Sequence, residues 1–269
     1  MINGAYIRLV WRNNRIFALF SMVFIMLFQF LMLFLVTTFN IPAILSVVID
    51  QLPPAMKVLL NDSFLSMLNV DGAAAFGLNH PIVLTLLVIT AINIPSHQIS
   101  RELESGTLEL LLAHPFKRQA LITSLWLSGS MIILLIILMA LVGSVASILI
   151  FHEPDYSILS HLLEIGLNLW LLITVIFSYT LLIAVYGKMG FRAGNMSAAV
   201  TFFFYLLFFL AQIWTKIAIT NHLNVFNYYQ PQKIMFDEGN FWGDILVLAF
   251  LVVACLVLSL RQFGKRDVP

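Results

Sequence analysis

Six apolar runs dominate this chain, at about residues 16–38, 81–96, 120–151, 159–187, 196–215 and 241–260. Each approaches or exceeds the ~20 residues that a helix needs to cross the ~30 Å hydrocarbon core of a bilayer. Backbone groups in lipid must be satisfied within the segment itself, which a helix does. Soluble domains carry roughly 25% charged residues; this chain carries 10%, with 61% hydrophobic residues and a mean hydropathy of +0.99. The expected fold is an all-α integral membrane protein, one six-helix transmembrane domain over residues 1–269. The second run is short and holds Asn93 and Pro95, so its inner end is expected to be kinked or broken. The third and fourth runs exceed what a bilayer needs and should tilt or project. The first run is longer than the roughly 7–15 residues of a signal-peptide core and should remain as an anchor.

Orientation follows from Lys and Arg. With the amino terminus inside, the inner segments hold Arg8, Arg12, Arg15, Arg101, Lys117, Arg118, Lys188, Arg192, Arg261, Lys265 and Arg266, and the outer ones only Lys57, Lys216 and Lys233. Most acids fall outside. Both termini are therefore expected in the cytoplasm. Arg8, Arg12 and Arg15 recur at helical spacing, which predicts an amphipathic amino-terminal helix lying in the inner membrane interface against lipid headgroups. Residues 39–80 form the largest outer loop, with one or two short amphipathic helices expected after Pro53 and Pro54. Residues 216–240 form a second outer cap, with Tyr228, Tyr229 and Trp242 as an aromatic belt.

The scarcity of charge makes one inner segment conspicuous. Residues 99–119 read ISRELESGTLELLLAHPFKRQ. Acids come first, then Gly106 and Thr107 as a helix start with Thr107 as cap, then a leucine-rich turn, and Pro115 as its end. A short rigid amphipathic element tied to two spans is expected, with Leu108, Leu110, Leu111 and Leu112 seeking burial in the interface or in a groove of another protein.

That stretch resembles the signature of type-2 ABC transporter permeases. The matching residues are Glu102, Glu104, Ser105, Gly106, Thr107, Leu108, Glu109, Leu111, Leu112, Pro115 and Arg118. Six spans, inside termini and a basic amino-terminal helix are similar to the family over nearly the whole chain. Within the family the chain looks nearest to permeases of gliding motility and nitrous oxide reductase maturation. The resemblance implies a coupling helix between spans two and three, docked on a separate ATP-binding-cassette ATPase present in two copies. It also implies a second permease subunit, expected to be an identical copy, and a bacterial inner membrane location. ATP and Mg are expected on the ATPase, since this chain has no G-x-x-x-x-G-K-[ST] and so no P-loop. Neither a cofactor of its own nor nucleic acid is expected.

Export of an unknown substrate is the first functional expectation. The alternative is a subunit that passes ATP-driven movement to a periplasmic partner protein without carrying a solute. Glu164, an acid within a span, and Asn168 are the candidate substrate path. Asn93, Asn168 and Gln212 also suit interhelical hydrogen bonds. His80, His152, His161 and His222, with Met22, Met26 and Met32, lack tight ligand spacing, so no metal site is expected. Ser128 and Ser130 in LSGS have no histidine partner in a span, and neither G-x-S-x-G nor H-E-x-x-H occurs, which argues against an intramembrane hydrolase. Ala140 with Ser144, and Gly143 with Ser147, form small-xxx-small pairs suited to close helix packing.

Overall fold

The computed structural model describes residues 2–39, 69–101, 118–151, 156–187 and 193–265. Among these every regular element is a helix, and six helices are long and apolar enough to cross a membrane.

The first, α1 (Gly4–Thr38), is one uninterrupted helix of 35 residues, about 52 Å long at 1.5 Å per residue. Arg8, Arg12 and Arg15 therefore lie on the opening turns of the first span, not on a separate helix in the interface. The cause is local and tertiary together. No Gly or Pro falls between Ala5 and Thr38 to stop the helix. One buried stripe (Tyr6, Val10, Ala18, Ser21, Ile25, Gln29 and Leu33) runs its whole length. The three arginines are exposed on the opposite side, beyond the apolar run, where charged heads reach water or headgroups. Asn3 caps the helix, accepting from the amides of Ala5 at 3.0 Å and Tyr6 at 3.3 Å.

The second span is broken. It begins eleven residues earlier than its hydropathy suggests, with α2 (Val70–Asn79), and resumes as α3 (Pro81–Pro95). His80 between them is extended, as the residue before a proline prefers. Its Nδ1 accepts from the Ile82 amide at 3.3 Å, so His80 caps α3 while Pro81 occupies the first turn. At its other end α3 passes into a π-helical stretch, Ser96–Arg101. The expected disturbance near Asn93 and Pro95 is thus a change of winding, and a second interruption lies at His80.

The third span is α4 (Arg118–Phe151) and the fourth α5 (Tyr156–Tyr186). The fifth, α6 (Ala193–Ile213), is followed by two 3-10 turns, Thr215–Leu223 and Val225–Tyr228, and by the short α7 (Pro231–Met235). The sixth is α8 (Phe241–Lys265). Residues 216–240 are accordingly a cap of short turns. The segment expected to be helical after Pro53 and Pro54 lies outside the described residues, and so do residues 102–117.

Helix α5 is the most buried span and packs against α3, α4, α6 and α8. The most extensive pairing joins α1 and α4 in parallel, with Asn3 against Ser124 at one end and the rings of Phe34 and Phe151 4.9 Å apart at the other. Helix α8 offers only a narrow buried stripe, Leu248, Val252, Ser259 and Phe263, toward its neighbours. Its opposite face, including Trp242, Leu246, Phe250 and Val253, is exposed, as suits a helix that meets lipid.

Candidate functional site

The expected coupling residues, Glu102, Glu104, Ser105, Gly106, Thr107, Leu108, Glu109, Leu111, Leu112 and Pro115, fall outside the described residues, and Arg118 is the first residue of α4. The two mounts of that segment are both described: the π stretch on one side and α4 on the other.

These mounts differ in character. Pro95 has no N–H to offer the Ala91 carbonyl, which weakens the last α turn. The Ser96 amide and hydroxyl both turn back on the Ile92 carbonyl, the hydroxyl at 2.6 Å, a bond that tends to bend helices. The π stretch packs against α5 and α6. Ile99 is fully buried, and Gln98 is buried with its Oε1 unpartnered. A Cβ placed on Gly194 of α6 would sit 3.5 Å from the Ser96 Cβ, so these two helices nearly touch.

On the other side, α4 is bound along its length. The Asn3 amide donates to Ser124 Oγ at 2.7 Å. A Cβ on Gly143 would overlap the Met26 carbonyl, lying 3.0 Å from its carbon and 3.1 Å from the Met26 Cα. The small-xxx-small pairs therefore do permit close packing: Ala140, Gly143, Ser144 and Ser147 are all buried. Toward α5, Trp126 Nε1 donates to Ser178 Oγ at 2.9 Å and Trp170 Nε1 to the Ser130 carbonyl at 3.1 Å. Ser128 donates to the Ser124 carbonyl at 2.7 Å. Ser124 and Ser178 thus bond across helix seams, whereas Ser128 bonds back within α4. Tyr179 of α5 also bonds Thr201 of α6. Sequence reasoning missed the tryptophan bonds, although a buried Trp usually finds a partner for its N–H.

Glu164 and Asn168 are one turn apart on α5, close enough for their side chains to be neighbours. Glu164 is half-buried and has no hydrogen-bond or ionic partner among the described residues. Asn168 lies near the middle of the span, fully buried, with both amide atoms unpartnered. Such groups are costly to leave unsatisfied. Asn93 and Gln212 are exposed rather than engaged between helices. Gln29 on α1 is fully buried with both amide atoms unpartnered, its side chain lying over Gly77 of α2.

The far end of the bundle is tied together. His161 of α5 pairs with Asp237 at 3.3 Å, and Asp237 holds a left-handed backbone (φ 55°). Gln232 Nε2 donates to the Gly72 carbonyl at 3.1 Å, joining α7 to α2. Asn224 Nδ2 donates to the Phe204 carbonyl at 2.6 Å. Tyr229 is buried in this cap, and burial pushes its phenol well above the usual value, so it stays neutral. Among the described residues no three His, Cys, Asp or Glu side chains are grouped to hold a metal. His80 instead packs between the rings of Phe28 and Phe76, at 4.9 and 5.6 Å.

Compared with known proteins, residues 7–268 match the family described as ABC-2 family transporter protein. Neither a curated protein nor a solved structure matches the chain.

Proposed function

The chain belongs to the ABC-2 transporter family, and from that membership we propose that it is the permease subunit of an exporter powered by a separate ATPase. The observation that carries this reading is a single family match over residues 7–268 on a chain with six helices able to span a membrane. Pairing with an ABC ATPase subunit follows from the family. The finer reading has two copies of each subunit in a bacterial inner membrane, with both termini cytoplasmic. The skew of Lys and Arg toward one set of segments supports that orientation.

Residues 99–119 carry the ATPase dock in this reading, its signature running from Glu102 to Arg118. Support comes from their pattern of acids, Gly106–Thr107, leucines and Pro115 between two spans. Glu164 and Asn168 line the substrate path. Support comes from a half-buried acid and a fully buried, unpartnered amide on neighbouring turns of the central helix. Polar groups so placed in a span are costly, and a polar substrate group would satisfy them.

Affinity purification of the tagged chain in mild detergent, followed by mass spectrometry, tests the reading. A P-loop ATPase at one copy per permease is expected. If none accompanies the chain, the docking reading fails. A further protein held on the outer face would favour mechanical transmission over export.

A further inference from the structure

The π-helical stretch Ser96–Arg101 stands between α3 and the segment read above as the ATPase dock. π-Helices are rare and are frequently found at functional sites. We propose that this stretch is a hinge: it rewinds between π and α winding as the dock moves, and so turns α3 relative to the dock. The inference rests on the docking reading of residues 102–117.

Three observations carry it. First, the winding itself holds a spare residue. Six residues at ~4.4 per turn sweep about the same arc as five at 3.6. Rewinding all six as α-helix therefore turns whatever follows by roughly a third of a turn and advances it by about 2 Å. Second, the π state is unrelieved where it stands. Gln98 Oε1 is buried without a partner, and Pro95 has already removed one α-type bond beside it. A state with an unsatisfied acceptor is readily exchanged for one in which Gln98 changes surroundings. Third, the stretch is packed and not free. It lies against α5 and α6, with Ile99 fully buried. Packed contacts have discrete arrangements, so a small displacement there becomes a switch between two states.

The geometry suggests a variant that keeps the resting shape and loses the motion. Deleting Ser100 lets five residues wind as plain α-helix over the same arc, so α3 and the dock keep their relative placement. What disappears is the spare residue. In the complex with its ATPase, the deletion is expected to leave co-purification at wild-type stoichiometry while nucleotide turnover in vesicles falls at least tenfold. A fall of less than threefold, with the complex intact, overturns the hinge. Should the deletion disturb folding, hydrogen exchange on the wild-type complex decides. Amides of residues 96–101 should change exchange at least tenfold when a non-hydrolysable ATP analogue and Mg are added, and those of α4 should not. Equal exchange in both states overturns the proposal. Absence of the ATPase from the wild-type preparation instead sinks the docking reading, and the hinge with it.

Discussion

Replacing Gly143 by Ala should loosen the α1–α4 seam more than the same change at another helical glycine. The added methyl would meet backbone, with the Met26 carbonyl carbon at 3.0 Å and its Cα at 3.1 Å. Backbone within a continuous helix cannot rotate aside, so α1 must retreat. Restoring ordinary carbon contacts of about 3.5–4.0 Å requires an opening of up to ~1 Å. A gap of that size forfeits a quarter to a half of each contact, and each is worth about 0.1–0.2 kcal/mol. If the crossing holds on the order of 40 atom contacts, as one buried leucine does, the loss is about 1–4 kcal/mol. Overpacked cores typically lose roughly 1–3 kcal/mol. At roughly 2–4 °C per kcal/mol for a chain of this size, a loss of about 1–3 kcal/mol lowers the melting temperature by about 2–12 °C. The assay is thermal unfolding of the detergent-purified permease, followed by the monodisperse fraction remaining. Gly264→Ala is the control. Its methyl would meet nothing nearer than Gln119 Nε2 at 3.6 Å, and it should leave the melting temperature unchanged or slightly raised. Gly77→Ala should lie between, because the Gln29 side chain in its way can move. Equal melting temperatures for Gly143→Ala and Gly264→Ala would refute the close approach of α1 and α4.

Ser96→Cys with Gly194→Cys, in a Cys255→Ala background, should form a disulfide on mild oxidation, because the two Cβ positions are 3.5 Å apart; labelling of both free thiols after oxidation would show that the start of the π stretch and α6 do not meet there. Asn168→Leu should hold or raise the melting temperature, since it removes a buried unpartnered amide, yet abolish transport-coupled ATP turnover. A fall in stability with turnover intact would make Asn168 a packing residue. Trp126→Phe should cost about 1 kcal/mol by losing the bond to Ser178, and a Ser178→Ala change added to it should cost little more; full additivity in thermal unfolding would mean that the bond is not made.

The six spans are legible because hydropathy and length are all that lipid demands of a helix. Orientation is equally open to reading as an expectation, since Lys and Arg are few and one-sided. The structure departs from the reading where two signals compete. Arg8, Arg12 and Arg15 suggest an interfacial helix, but the absence of Gly or Pro from Ala5 to Thr38 is the stronger constraint. Tyr6 and Val10 then continue the same buried stripe that α4 requires. Helix α2 hides because VDGAAAFGLN is small and mixed, with Asp71 and Asn79 near its ends. Small residues there let it pack closely, a tertiary need invisible to hydropathy. Pro95 and Asn93 flag a disturbance, but nothing in SHQISR separates π from α winding. At the candidate path, Glu164 and Asn168 stand out by chemistry alone, whereas Gln29 is concealed among the eleven phenylalanines and leucines of FALFSMVFIMLFQFLMLFL.

The two elements that flank residues 102–117 are unequal, and, on the proposed docking reading, the inequality directs where movement goes. Helix α4 is held to α1 at its start through Asn3 and Ser124, midway at Gly143 and Met26, and at its end by Phe34 and Phe151. It is also bonded to α5 through Trp126 and Trp170. A displacement applied to α4 is therefore shared by at least three long helices that must move together. Helix α3 is short, ends on a π stretch at one side and on the His80–Pro81 break at the other, and is joined beyond that break to the small-residue helix α2. With the same force applied to both mounts, the compliant one yields first. Movement should concentrate in α3, between two points where the chain already departs from α winding, while the α1–α4 pair serves as the frame against which it turns.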